Sequence, residues 1–237
     1  MKALILAAGY GARLAPLTDN LPKSLVPVNG TPIRFKQLEN LYDNGITDIT
    51  VVSGYRANML EAAVHDRFRD VQIIESEDYR TTNNMYSAYL AREAMAGDAF
   101  LMMNADVFFD ASVIEALIDF EAPNAIVTDI GFYLDESMKV IEAPDGRLTH
   151  ISKQITPEEA LGASIDVYKF SIEGGRAFFD KCAEYIEQKQ ERKLWSEVAL
   201  DGILSEVEFR ACPLNGRWYE IDNHEDLEAA ERIFADE

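Results

Sequence analysis

An apolar run, Ala3-Leu4-Ile5-Leu6, opens directly into Ala7-Ala8-Gly9-Tyr10-Gly11-Ala12-Arg13, and this junction constrains the fold more than any other stretch. A buried first strand ending in a small-residue loop lets backbone N–H groups approach phosphate oxygens, because few side chains stand in the way. Arg13 and, after Pro22, Lys23 add the positive charge that a triphosphate requires. The same residues can also be read as an ordinary glycine turn with two solvated cations. Two familiar phosphate loops fit poorly. A dinucleotide-binding GxGxxG needs glycine where Leu14 stands, and a P-loop needs Gly-Lys followed by Ser or Thr, whereas Lys23 follows proline.

Downstream, short apolar runs alternate with helical periodicity, the pattern of an α/β fold with a largely parallel sheet. Thr31-Pro32 reads as the N-cap and first position of a helix, with Ile33, Leu38 and Leu41 on its apolar face and Asn44-Gly45 as its stop. Strands are predicted at Ile49–Val52, Val71–Ile74 and Phe100–Met103. Helices are predicted around Met59–Phe68 and Met85–Met95, the latter with Leu90 and Met95 on its buried side. After about Asn124 the character changes. Val140-Ile141-Glu142 and Leu148–Ile151 flank Pro144-Asp145-Gly146, a hairpin signal. A strand at Ala163–Phe170, a helix at Gly174–Glu187, a strand at Trp218–Ile221 and a helix capped by Asn223 complete the pattern.

Asp106 ends an apolar strand, Leu101-Met102-Met103-Asn104-Ala105-Asp106, and Asp222 ends another, after Tyr219-Glu220-Ile221. Carboxylates at the ends of buried strands suit a divalent metal, which prefers hard oxygen ligands. A turn or N-cap aspartate is the simpler reading of either one alone. Glu220 shares a face with Asp222, because strand side chains repeat every two residues, so it either joins the cluster or is a surface carboxylate. In open α/β sheets ligands lie beyond the carboxyl ends of the strands, where the glycine loop, Asp106 and Asp222 all fall. Such a set supports nucleotidyl transfer, in which positioning and charge neutralisation do most of the catalysis and no enzyme nucleophile is needed.

The run LAAGYGARLAPLTDNLPKSLVPVNGTP resembles the signature of the nucleotidyltransferases that activate sugar phosphates and small phospho-alcohols. Thr81-Thr82-Asn83-Asn84-Met85-Tyr86-Ser87 and Trp218-Tyr219-Glu220-Ile221-Asp222 are similar to the small CTP:phosphocholine cytidylyltransferase branch. The resemblance implies a Rossmann-like, mixed but mainly parallel sheet flanked by helices, of the nucleotide-diphospho-sugar transferase type. It implies one domain over 1–237, with about 1–123 binding the nucleotide and 124–237 the acceptor. It also implies a nucleoside triphosphate, CTP by the branch, wrapped by Leu6, Ala7, Ala8, Gly9, Tyr10 and Gly11, with Arg13 and Lys23 on its phosphates. Mg2+ would sit between Asp106 and Asp222. Asn83 and Asn84 stand where the family reads base and ribose, although an N-cap role competes for one of them. Lys153 matches the lysine that grips the acceptor's phosphate, or is an ordinary surface lysine.

The acceptor is less legible. A quaternary ammonium needs an aromatic cage with an acid nearby, and Tyr133, Tyr168, Trp195, Trp218 and Tyr219, with Asp129 or Asp166, are available, though aromatics there also suit a core. Asp166 stands where relatives often have glycine; a carboxylate there favours an amine such as aminoethylphosphonate, or excludes a sugar. A phosphorylated or phosphonylated small alcohol or amine is thus the expected acceptor. A sugar-1-phosphate nucleotidyltransferase and a non-catalytic nucleotide-binding module are the alternatives. The first commonly has a glycine-rich segment in place of Thr81–Asn84, and the second would be expected to lose Lys23 or a metal aspartate.

The formal charge of −20 argues against a nucleic-acid partner. No apolar run approaches a membrane span, and the N-terminus reads as a strand rather than a signal peptide. Cys182 and Cys212 form no CxxC or Cys/His cluster, which favours two reduced thiols in a cytoplasmic protein. His65, His150 and His224 lack metal-ligand spacing and read as structural or exposed. An oligomer is left open.

Overall fold

Strand β1 (Lys2–Ala7) lies at the centre of the molecule and is buried from Ala3 onward. The structure is a computed structural model that describes residues 1–134 and 136–235. From β1 the chain passes through the glycine loop into a short antiparallel pair, β2 (Pro27–Val28) and β3 (Thr31–Pro32), and then into α1 (Ile33–Asp43). Thr31 and Pro32 therefore do not open the helix as their sequence suggests. Pairing with Val28 and Pro27 holds them extended, and α1 begins after them without a side-chain cap. Its stop is as expected, with Asn44 as C-cap and Gly45 at φ +75°.

The first half continues as β4 (Ile49–Ser53), α2 (Ala57–Arg67), β5 (Gln72–Glu75), α3 (Asn84–Leu90), α4 (Arg92–Met95), β6 (Phe100–Asn104), β7 (Val107–Phe109) and α5 (Ala111–Asp119). The single helix expected over Met85–Met95 is broken at Ala91, whose N–H turns back to the Ala88 carbonyl at 3.0 Å. That tighter turn rotates the buried face, which is Met85, Ser87 and Ala88 in α3 and Met95 in α4, and leaves Leu90 only half-buried.

The second half adds β8 (Ala125–Ile130), β9 (Lys139–Glu142), β10 (Leu148–Ser152), β11 (Gly162–Phe170), α6 (Ile172–Ala183), α7 (Ser196–Asp201), β12 (Arg210–Pro213), β13 (Trp218–Glu220) and α8 (His224–Ile233). Among the described residues the main sheet runs β10-β9-β11-β6-β1-β4-β5, with β8 joined to β11 and β12 to β8. The β6-β1-β4-β5 part is parallel, and β11 enters antiparallel to β6, which makes the sheet mixed. Helices cover both faces. Alternation along β1 sends Ala3, Ile5 and Ala7 into one core layer with Leu38, Leu60 and Leu117, and Leu4 and Leu6 into the other with Met85, Phe178 and Leu200. A third, smaller cluster packs Leu14 and Val26 of the glycine loop against Phe108, Ile221 and Phe234.

Two local features set up the site. β11 changes partner along its length, from β9 to β6, and its pairing with β8 slips between Ser164 and Tyr168. Asp166 lies in that irregularity at φ +59°, a left-handed conformation that a non-glycine residue rarely adopts. At the other end, β13 pairs with β7, and Asn223 begins α8 with a capping box to Asp226. Cys182 and Cys212 are buried and not joined to one another. No helix among the described residues is long and apolar enough to cross a membrane.

Candidate active site

Lys23 is the hinge of the site. Gly11, at φ +70°, passes so close to it that an added Cβ would stand 2.7 Å from the Lys23 Cβ. Only glycine fits there, and the lysine stem is held against the loop. Its Nζ donates to Asp106 Oδ2 at 2.9 Å and to Asp222 Oδ1 at 2.7 Å, with the side chain 12% exposed. Burial alone would lower the lysine pKa; the two carboxylates outweigh it, and the net shift is upward. Arg13, exposed at the mouth, donates from Nη2 to Asp222 Oδ2 at 2.6 Å. Against the pull of burial, Lys23 and Arg13 hold the Asp222 carboxyl below its usual range.

Backbone register brings the acids together. Asp106 lies in the turn between β6 and β7, Glu220 pairs with Val107, and the Ile221 N–H donates to the Asp106 carbonyl at 2.9 Å. Asp106, Glu220 and Asp222 each offer a carboxylate oxygen within 4.8 Å of one another. The backbone N–H of Asp222 donates to Asp226 Oδ2 at 3.0 Å, so the start of α8 fixes its position. Burial, Asp106 and Asp222 together push Glu220 up to about 7. Asp106 Oδ1 is buried and meets no donor among the described residues. Three hard oxygen donors, one of them orphaned, fit a small divalent cation such as Mg2+.

Behind the cluster lies a device that the sequence reading missed. Arg34 of α1 is fully buried and donates from Nη1 to Gln37 Oε1 at 2.8 Å, while its Nε and Nη2 meet no acceptor among the described residues. Burial lowers its pKa to about 9, against the attraction of Asp106. Gln37 in turn donates to the carbonyls of Asn104 and Val107, which flank Asp106, at 2.9 and 2.7 Å. The signal was present: Arg34 and Gln37 fall on the same helical face as Ile33, Leu38 and Leu41, where only apolar residues are expected.

The cleft is lined by Leu6, Ala7, Ala8, Gly9, Arg13 and Lys23 at one end and by Lys153, Asp166, Trp195 and Glu197 at the other, with Asn83 and Asn84 between them. Asn83 caps α3 through its own side chain, which accepts from Asn84 N at 2.8 Å. Asn84 accepts from Ser196 N at 2.8 Å and donates to Asn104 at 3.3 Å, joining α3, α7 and β6 around the cleft. Lys153 Nζ stands 5.0 Å from the centre of the Trp195 ring. Asp166 accepts from Asn104 Nδ2 and from the Tyr168 hydroxyl, both at 2.9 Å. Glu197, also missed from the sequence, is 2% exposed. Its Oε1 lies 3.0 Å from the Tyr168 hydroxyl and 3.1 Å from Ser196 Oγ, and its Oε2 has no partner among the described residues.

Five expected contacts do not line the cleft. Tyr10 turns outward and meets Tyr55 edge-on at 4.4 Å. Gly11 supports Lys23 instead of facing the cavity. Asp129, on the far side of β11 from β6, accepts from Trp218 Nε1 at 2.9 Å. The Tyr168 ring is buried in the second core layer and only its hydroxyl reaches the site. Tyr219 alternates with Glu220 along β13, so it faces the small third cluster. Tyr133 and Trp218 also lie off the cleft, so the aromatic cage does not form.

Residues 2–140 match the family model described as nucleotidyl transferase. The choline-phosphate cytidylyltransferase of Streptococcus pneumoniae is 42% identical over 96 residues, 40% of this chain and 41% of that protein. The 2-aminoethylphosphonate cytidylyltransferase of Lancefieldella rimae is 36% identical over 105 residues, 44% of this chain and 42% of that one. The matched part of this chain thus spans less than half the length of either curated relative. The solved structure of the CTP:phosphocholine cytidylyltransferase from Streptococcus pneumoniae shares the fold, with a TM-score of 0.80 at 24% identity over 98% of both chains.

Proposed function

The chain belongs to the nucleotidyl transferase family, and on that premise we propose that it is a cytidylyltransferase joining CTP to a small phosphorylated or phosphonylated amine or alcohol. The observation that carries this reading is Lys23, held between Asp106 and Asp222 at the foot of the glycine loop. An oxygen of the acceptor's phosphate or phosphonate attacks the α-phosphorus of CTP. The new P–O bond forms as the bond to the β-phosphate oxygen breaks, and pyrophosphate leaves with that electron pair. Lys23 neutralises charge on the α-phosphate and the attacking oxygen, Arg13 at the mouth holds the leaving pyrophosphate, and Lys153 receives the acceptor's anionic group. Mg2+ held by Asp106 and Asp222, with Glu220 beside them, would supply Lewis-acid stabilisation of the phosphate oxygens.

Preference for CTP is supported by the two cytidylyltransferase relatives and by Asn83 and Asn84 in the cleft wall, whose amides suit a pyrimidine's donor and acceptor edge. The test follows pyrophosphate release from CTP, UTP, GTP and dTTP with choline phosphate, 2-aminoethylphosphonate and sugar 1-phosphates. CTP is expected to be the best donor with a phosphorylated or phosphonylated amine. If CTP is no better than the others with every acceptor, the cytidylyl assignment fails; turnover of sugar 1-phosphates alone would replace it with a sugar nucleotidyltransferase.

A further inference from the structure

We propose that Asp166 and Glu197 form the ammonium-binding end of the acceptor site, and that the acceptor they take carries a primary ammonium, –CH2–NH3+, in preference to a quaternary one. This rests on the cytidylyltransferase reading above. Two carboxylates converge there with one phenolic proton between them. The Tyr168 oxygen is 2.9 Å from Asp166 Oδ1 and 3.0 Å from Glu197 Oε1, yet it has a single hydrogen to give. Glu197 lines the same cleft wall, and its Oε2 is buried and has no donor among the described residues. Among the described residues neither acid forms an ion pair, in contrast to Asp106 and Asp222 at the other end. A buried acceptor without a donor is costly, and an ionised one more so, unless a ligand brings both charge and N–H groups. A primary ammonium brings both.

A trimethylammonium group has no N–H to offer and is recognised by aromatic faces instead. Among the described residues only Tyr79 and Trp195 bring aromatic rings to the cleft, too few for a cage. Tyr168 contributes only its hydroxyl, Trp218 and Tyr219 lie elsewhere, and Trp195 already carries Lys153 over its ring. Asp166 is aimed into the cleft by the slip in β11, at a position where a left-handed backbone is needed to place it.

The experiment compares kcat/KM, by pyrophosphate release from CTP, for 2-aminoethylphosphonate, 2-hydroxyethylphosphonate and the trimethylammonium analogue of the same phosphonate. The primary amine is expected to exceed the trimethyl compound by on the order of 10²-fold or more. In Glu197→Gln and Asp166→Asn, the ratio of amine to hydroxyl compound should fall by about tenfold, the loss of one charge-assisted hydrogen bond. Thermal melting shows whether these variants fold, and the wild-type series decides the matter alone if they do not. Equal or better turnover of the trimethyl compound overturns the inference and leaves the cytidylyltransferase reading standing. No pyrophosphate from any nucleotide with any acceptor overturns the reading itself, and the inference with it.

Discussion

The two ends of one cleft handle buried acid in opposite ways. At the glycine-loop end, Lys23 and Arg13 sit directly on Asp222, and its carboxyl is held below the usual range. At the α7 end, Asp166 and Glu197 share a phenol and two neutral amide or hydroxyl donors, and burial drives both of them upward. Burial raises all of these carboxyls, and at Asp222, the more exposed of them, the bonded cations reverse its effect. Asp222 differs in having Lys23 and Arg13 bonded to it, whereas Glu220 beside it, crowded by Asp106 and Asp222, is pushed up to about 7. The first end is balanced at Asp106 and Asp222 by Lys23 and Arg13; at the second, Lys153 lies over Trp195 and forms no ion pair with Asp166 or Glu197 among the described residues.

The largest test of that contrast is Lys23→Ala. Removing the one cation shared by two acids is expected to lower kcat by roughly 10³-fold, about 4 kcal/mol of transition-state stabilisation. Pyrophosphate release from CTP would measure it, and turnover near wild type would mean that the lysine is only a structural strut.

Next in size is a pH effect on stability without metal. Glu220 is raised to about 7, so between its unfolded value near 4.5 and that point the folded protein binds more protons than the unfolded chain. Stability from this group is therefore full below about pH 4.5 and is lost as pH rises towards 7, a fall on the order of 3 kcal/mol. Asp222, held down, acts in the opposite sense and only at lower pH, where stability is lost as its carboxylate is protonated. Urea denaturation at pH 5 and pH 7 in chelator should show the decline, and Glu220→Gln or saturating Mg2+ should lessen it, the raised Asp166 and Glu197 keeping the remainder. A rise in stability over that interval would break the picture of an acid crowded by its neighbours.

Gly11→Ala is smaller again. The new Cβ meets the lysine stem and demands a left-handed alanine, so a loss of about 1–2 kcal/mol in stability is expected, with a several-fold drop in kcat as Lys23 shifts. Chemical denaturation and steady-state kinetics would read both. The smallest effect is expected from Arg34→Met. A buried guanidinium with two unsatisfied nitrogens contributes little net stability, so the change should stay within about 1 kcal/mol in a melting experiment. A much larger loss would show that this buried cation balances Asp106 from behind, extending the balanced end of the cleft into the core.

The balanced end was legible in the sequence, and the acidic end only in part: Lys153, Asp166 and Trp195 are expected there and line the cleft, while Glu197 is not foreseen. The strand into Gly9, the spacing of Arg13 and Lys23, and aspartates at the ends of apolar runs are local patterns, and the backbone ladder carries them to their places. Glu197 follows Trp195-Ser196 in a short helix whose position depends on Asn84, far away in sequence. Asp166 is among the expected acceptor residues, but its aim comes from a slip in strand register that no periodicity announces. The aromatic cage failed for a related reason. Residue type suggested it, while strand alternation and core packing sent Tyr168 and Tyr219 elsewhere. Likewise Thr31-Pro32 had the composition of a helix start, and a two-residue strand pair claimed it instead.

The pairing of β13 with β7 ties assembly of the reaction centre to the distant part of the chain. Lys23 and Asp222 are 199 residues apart, and the strand at Trp218–Glu220 with the start of α8 carries the second aspartate home. A ribosome that has released the first two hundred residues holds a chain with its loop but only Asp106 of the three acids of the ion-binding cluster. Nucleotide captured at that stage would find no competent partner for turnover. The cluster is complete only with the returning strand paired to β7 and the start of α8 behind it.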